Sequence, residues 1–234
     1  DTLADDVSVA TGDTLSLGTL GLDDAGWYYC MADNGSPQTA SPTVRVSIKR
    51  QIIHYTFDGN VTDSSGNGLD GTLFGDEPNF VNDAIYGQAL WFDGTSDYVQ
   101  CPNDLDLALP AFNDFTPGMT ITVWAKPDVA AGWARFVDIG NGPGVDNIFL
   151  TREGTSSNLI YNNNNGVVNA GGEIALNEWQ MFAVTVDEAG SVVLYANGLP
   201  VQTGTVGIPA ITPRITNYIG ESHYTADSLY SGLM

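Results

Sequence analysis

The chain has 234 residues and carries 28 acidic side chains against 7 basic ones, a formal net charge of −21. Repulsion from phosphates at that charge argues against nucleic acid and against an anionic membrane as partners. No run of about 18 apolar residues occurs, so no spanning helix is expected, and two cysteines, Cys30 and Cys101, do not make a disulfide framework. Short apolar runs are punctuated by Gly, Asn, Asp and Ser, and apolar residues nowhere repeat at helical spacing over a long stretch; the chain reads as all-β.

In residues 1–50, Leu15 and Leu17 alternate, a turn follows through Asp24-Ala25-Gly26, and a strand starts at Trp27. Val44, Val46 and Ile48 alternate again, as in a half-buried strand of period two. The pattern Asp24-x-Gly26-x-Tyr28-x-Cys30 resembles the immunoglobulin superfamily at the corner before its F strand. The resemblance implies that the Tyr28 hydroxyl bonds to the backbone of the preceding loop. Such a domain needs about 100 residues, with a cysteine and a tryptophan upstream of the corner. Residues 1–50 are therefore expected to be the C-terminal half of a domain whose beginning has been cut away, with the partner of Cys30 lost in the same cut. Pairing of Cys30 with Cys101 is discounted, because Cys101 is assigned to a different domain.

Alternation ends at Ile48 and restarts at Ile52, which puts a domain junction near Lys49–Gln51. From there "IIHYTFDGN" reads as a strand running into a Gly/Asn/Asp loop, and "GQALWFDGTSDYVQC" as a strand pair about Asp93-Gly94. "MTITVWAKPD" alternates cleanly, and "NEWQMFAVTVDEAGSVVLYANGLPV" gives two strands joined at Asp187–Gly190, then a hairpin turn at Asn197-Gly198. Trp124 and Trp179 lie within these strands and are assigned to the core, while Trp133 is the expected exposed aromatic. Six landmarks in order, "YTFDGN", "ALWFDGTSDYV", "ITVWAKPD", "NEWQMFAVTVD", "VVLYANGLPV" and "NYIGES", resemble the laminin-G-like, concanavalin A-like lectin superfamily. The resemblance covers 51–234 and implies an antiparallel β-sandwich of jelly-roll form. The family closes with a further strand beside the first, so the sequence is expected to stop short of it at "LYSGLM", leaving an open edge beside residues 52–57. Either the polypeptide continues, or a neighbouring copy donates the strand.

Glycoside hydrolases on this fold carry Glu-x-Asp and a further Glu, and none of the six glutamates stands in that spacing. His54 and His223 lack metalloprotease spacing, so no catalytic residue is assigned. Calcium is the expected cofactor, because hard oxygen ligands in flexible Gly-rich loops suit it; related domains hold the ion near the junction of first and last strands. By that position Asp58, Asp63 and Asp93 are the candidate ligands, with Asn60 or Asp97 as a further one, and turn-capping is the alternative role for the same acids. The loops "GNGPGVDNIFLTR" and "ESHYTADSLY" are the candidate glycan site: Asn141, Asp146, Asn147, Arg152, His223, Tyr224 and Asp227. In the family these two segments recur as a linked pair, which equally suits internal scaffolding. Arg152 is expected to pair with Asp138 or Asp146.

These readings converge on a non-catalytic adhesion or binding module of a large secreted or surface protein, with a glycan or a neighbouring surface protein as partner. The rivals are an architectural role in a self-assembling surface layer or fibre, and an accessory domain of a polysaccharide-degrading enzyme.

Overall fold

The computed structural model describes residues 8–20, 24, 26–32, 39–46, 50–75, 79–83, 86–106 and 112–234. The chain divides into two compact units, Asp1–Arg50 and Gln51–Met234. Ile48 and Lys49, where the last alternating residue and the expected junction fall, lie outside the described residues.

In the first unit, β1 (Gly26–Tyr28) pairs antiparallel with β4 (Val44–Val46), and β2 (Met31–Ala32) with β3 (Thr39–Ala40). The Tyr28 hydroxyl donates to the Asp24 carbonyl oxygen at 2.8 Å, the bond the Asp-x-Gly-x-Tyr corner called for. The strand expected through Leu15 and Leu17 does not form among the described residues; Leu15 and Leu20 are both exposed. Cys30 and Cys101 are both free thiols.

The second unit is a sandwich of two antiparallel sheets. Its strands are β5 (Thr72–Phe74), β6 (Asn79–Asp83), β7 (Gly87–Asp93), β8 (Tyr98–Cys101), β9 (Met119–Pro127), β10 (Arg135–Gly140) and β11 (Ile148–Arg152), then β12 (Leu159–Asn162), β13 (Val167–Ala170), β14 (Gln180–Val186), β15 (Ser191–Ala196), β16 (Leu199–Thr205), β17 (Thr216–Ile219) and β18 (Ser231–Leu233). Among the described residues, one seven-stranded sheet runs β13-β12-β11-β10-β17-β8-β5 and the other β16-β15-β14-β9-β18-β7-β6. Sequential hairpins on one side of each sheet and strands brought in from distant sequence on the other give a jelly roll.

Alternating residues point inward from each sheet. Val99, Ile148, Leu150, Leu159 and Tyr161 from the first sheet face Leu90, Phe92, Phe182, Val184 and Leu194 from the second, all essentially buried. Phe136 stacks on Phe182 with centroids 5.1 Å apart, and Tyr230 closes the core against Phe92 at 5.6 Å. Each such side chain contributes about 1.5–3 kcal/mol on burial, which suffices for a core without disulfides. The Asn197-Gly198 hairpin joins β15 to β16 as expected; both residues have positive φ, 52° and 80°, as its tight turn demands.

Four expectations need correction. Residues 52–57 form no strand, only an isolated bridge between Tyr55 and Asp63. The His54 N–H is taken by an Asp63 side-chain oxygen at 2.9 Å, and Phe57 sits at φ 57°, so these residues add no ladder to either sheet. Asp93-Gly94 is not a hairpin turn, because β7 and β8 belong to opposite sheets and the chain crosses the sandwich there. Trp124 is half exposed on the outer side of β9, and Trp179 is only partly buried, its indole N–H donating to Asp83 at 2.9 Å. Tyr86 packs between the two rings at 5.2 and 5.5 Å. Finally, Ser231–Leu233 is itself a strand, seated between β7 and β9, and Met234 exchanges backbone hydrogen bonds with Leu90.

Candidate functional site

The long loop 220–230 between β17 and β18 lies over the outer face of the first sheet, held there by a buried ionic network. Its anchor is Arg135, 2% exposed. The register shifts between Arg135 and Val137, so that Arg135 opposes Thr151 while Val137 opposes Leu150. In a regular strand, residues three apart face opposite sides; this bulge returns Arg135 to the side of Asp138. Arg135 Nε donates to Asp138 Oδ2 at 3.2 Å and Nη2 to Asp227 Oδ2 at 2.8 Å, while Nη1 reaches the Trp133 carbonyl and the Thr151 hydroxyl. The guanidinium also lies 4.2 Å from the Phe149 ring centroid.

Asp138 gathers further donors. His223 Nδ1 is 2.8 Å from Asp138 Oδ1, and the His223 backbone N–H and the Asn147 amide also donate to its carboxylate. His223 Nε2 lies 2.8 Å from the Thr216 hydroxyl, and the Ser222 hydroxyl donates to Asp227 at 2.7 Å. The expected pairing of the two loops is thus present: Asn147, His223 and Asp227 come together through Arg135 and Asp138. Asn147 is fully buried and His223 nearly so.

Other candidates lie apart from this network. Asn141 and Asp146 bond to each other at 3.2 Å across the β10–β11 turn, and Asn141 also donates to the Pro213 carbonyl. Tyr224 stands with its ring 5.9 Å from the Arg135 guanidinium. Arg152 pairs with neither Asp138 nor Asp146; it donates to the Ser156 carbonyl, and burial lowers its pKa. Arg135 is the partner of Asp138, and Arg214 holds the Asp146 backbone carbonyl through Nε at 2.9 Å.

Beside the network opens a cleft of about 280 Å³, lined by Tyr98, Asn141, Gly142, Pro143, Thr216, Tyr218, Glu221, Ser222 and His223. Tyr98 and Tyr218 in its lining belong to a run of aromatic side chains standing on adjacent strands. Phe74 of β5 stacks flat on Tyr98 of β8 at 4.8 Å and 2°, and Tyr98 meets Tyr218 of β17 edge-on at 5.6 Å and 87°. Tyr218 in turn lies 5.1 Å from the His223 ring. Burial raises the pKa of Glu221, with Asp138 pushing the same way against the Ser222 N–H and His223. Burial also raises Tyr98 and Tyr218, and Glu221 adds to both shifts. Sequence reasoning assigned Asn141 and His223 to this region but missed Tyr98, Tyr218 and Glu221. The available signal was alternation: Tyr98 and Tyr218 each neighbour an inward-facing Val99 or Ile219, so both rings had to point out.

The candidate calcium ligands do not converge as a coordination set. Asp63 accepts the N–H groups of His54, Ser65 and Leu69 and the Ser65 hydroxyl. Asp93 accepts those of Thr95, Ser96 and Asp97 and the Thr95 hydroxyl. Asp58 is exposed in its own turn, where its N–H donates to the Thr56 hydroxyl. Among the described residues no three His, Cys, Asp or Glu side chains group as a metal set would. Asp63 and Asp93 act as caps for tight turns.

Two packed antiparallel sheets with an open, aromatic-lined cleft on one outer face define a sandwich of the lectin-like class. Residues 93–234 match the Laminin_G_3 family model of the concanavalin A-like lectin/glucanases superfamily, and the chain belongs to that family. Among solved structures, it is similar to domain 4 of AbnA, an extracellular GH43 arabinanase of Geobacillus stearothermophilus solved with arabinotriose. The TM-score is 0.59 at 19% identity, covering 79% of this chain and 88% of that one. The receptor-binding domain of a botulinum neurotoxin C/D mosaic serotype follows with a TM-score of 0.52 at 14% identity, covering 74% of this chain and 44% of that one. The binding domain of botulinum neurotoxin serotype C1 gives 0.51 at 14%, covering 76% and 46%. At these identities the likeness is one of fold. No curated protein sequence matches the chain. Among the described residues no helix is long and apolar enough to cross a membrane.

Proposed function

We propose that residues 51–234 are a non-catalytic carbohydrate-binding module of a secreted or surface-exposed protein, with the sugar seated in the cleft beside the 220–230 loop. The observation that carries this reading is the pair Tyr98 and Tyr218, aromatic side chains in contact across adjacent strands and lining the cleft with Asn141, Thr216 and Glu221, with Phe74 stacked behind Tyr98. Sugar rings present C–H groups to aromatic faces and hydroxyls to polar groups around them, which is the division this cleft offers. The buried Arg135 network supports the reading from beneath by fixing the loop that supplies Glu221 and His223. A shared fold with an arabinanase domain solved with arabinotriose is consistent with it.

Glycoside hydrolysis needs two carboxylates about 5–9.5 Å apart, and among the described residues the cleft lining holds one, Glu221. The first unit reads as the second half of an immunoglobulin-like sandwich, supported by the Tyr28–Asp24 corner bond, so that the whole would be part of a modular extracellular array.

The test is calorimetric titration with a panel of oligosaccharides, arabinotriose among them. Tyr218→Ala is expected to weaken the best ligand by about tenfold or more, the scale of losing one well-stacked ring. Trp124→Ala, on the opposite sheet, should leave affinity unchanged. Failure of every sugar to bind, or indifference to Tyr218, defeats the proposal.

A further inference from the structure

Resting on the glycan reading of this cleft, we propose that its ligand is an amino sugar whose ammonium group sits in the corner formed by Tyr98, Tyr218 and Glu221. The lining contains no lysine or arginine. The Arg135 guanidinium beneath the loop is buried and already engaged by Asp138 and Asp227. His223 is turned inward, with Nδ1 on Asp138 and Asn147 and Nε2 on Thr216. Glu221 is therefore a carboxylate at the cleft without a basic side chain committed to it; one of its oxygens accepts the Ser222 N–H at 3.1 Å.

Three physical effects point the same way. Partial burial penalises the Glu221 charge, as its raised pKa shows, and a cation supplied by the ligand would offset that penalty. The Tyr98 and Tyr218 rings meet edge to face, 87° apart in orientation and 5.6 Å between centroids, and both line the cleft with Glu221. Aromatic faces attract a cation through their quadrupole, and more strongly where water is partly excluded. The net charge of −21 concentrates cations around the whole protein and repels anions, so a uronate or sialate would meet both the global field and Glu221. A neutral sugar would gain the stacking and nothing from the carboxylate beyond a hydroxyl hydrogen bond.

A matched pair of ligands isolates the charge: the β-1,4 trisaccharide of glucosamine and its N-acetylated counterpart, titrated calorimetrically into the full chain. The expected result is about tenfold or greater preference for the amine at low salt, shrinking as ionic strength rises toward about 0.5 M. Glu221→Gln keeps the side chain's shape and should abolish the preference. Glu188→Gln, on an exposed turn, should not alter it and controls for diffuse attraction to an acidic protein. Equal affinity for the pair overturns the charge inference and leaves the glycan reading intact. So does a preference that survives Glu221→Gln, and so does binding only of other, neutral sugars. Binding of no sugar at all overturns both.

Discussion

Arg135 and Asp227 stand 92 residues apart in sequence and 2.8 Å apart in space, and their ion pair fastens the 220–230 loop to the face of the first sheet. Breaking it should be costly, because the survivor is left with an unmatched charge in a site that is almost dry. Arg135→Met is expected to destabilise the second unit by about 3–5 kcal/mol, read from urea unfolding, since it strands both Asp138 and Asp227. Asp227→Asn, which retains a hydrogen-bonding oxygen and borders solvent, should cost less. Its distinctive effect would be on the cleft, with weakened ligand affinity at nearly unchanged stability.

Acid should unfold the second unit partly through its turn caps. Burial raises Asp63, but hydrogen bonds from Ser65, His54 and Leu69 pull its carboxyl below the usual range, and Asp93 is held low by the same balance with Ser96, Thr95 and Asp97. A folded pKa below the unfolded value of about 3.9 gives stability that is fully present above that value and lost as pH falls through the folded one. Asp63→Asn should cost about 1–3 kcal/mol at pH 7, and its deficit against the parent should narrow below about pH 4. Melting in millimolar Ca²⁺ against EDTA tests calcium separately. A rise in melting temperature that persists in Asp93→Asn would mean a ligand set other than these caps.

The two thiols should differ sharply in reactivity. Burial pushes Cys101 up to about 12, with a hydrogen bond to Tyr55 only partly opposing it, whereas Cys30 is exposed. A disulfide reagent at pH 8 is expected to label Cys30 alone in the native chain and Cys101 as well in urea. Rapid native labelling of Cys101 would contradict the packing described for β8.

Two glycines separate backbone strain from steric overlap. A methyl group on Gly198 would meet open space, so Gly198→Ala should cost only the strain of a positive φ, about 1–3 kcal/mol. On Gly232 (φ 130°) it would lie 2.3 Å from the Lys126 carbonyl oxygen, in the middle of the second sheet. Gly232→Ala is expected to be the more damaging by a clear margin in thermal melts, because β18 would have to move away from β9.

The sequence by itself determined the class of fold and much of its strand order. Period-two alternation in "MTITVWAKPD" and "VVLYANGLPV" and the Asn197-Gly198 turn are local signals, and local sterics make them reliable. The corner at Tyr28 was legible for the same reason, since donor and acceptor lie four residues apart. Alternation alone could not say which outward face would be covered. Trp124 and Asp138 both point outward, yet Trp124 stays half exposed whereas Asp138 is fully buried because the 220–230 loop lies over it. The bulge at Arg135 broke the period that sequence reasoning relied on, so Arg135 and Asp138 met on one side of a strand and Arg152 took no part. Asp63 and Asp93 were recognised as oxygen donors, but only the folded turns decided that those oxygens face their own backbone. The cleft, too, belongs to tertiary structure: Tyr98 and Tyr218 lie on two strands that are neighbours only through long-range pairing, which no local pattern encodes.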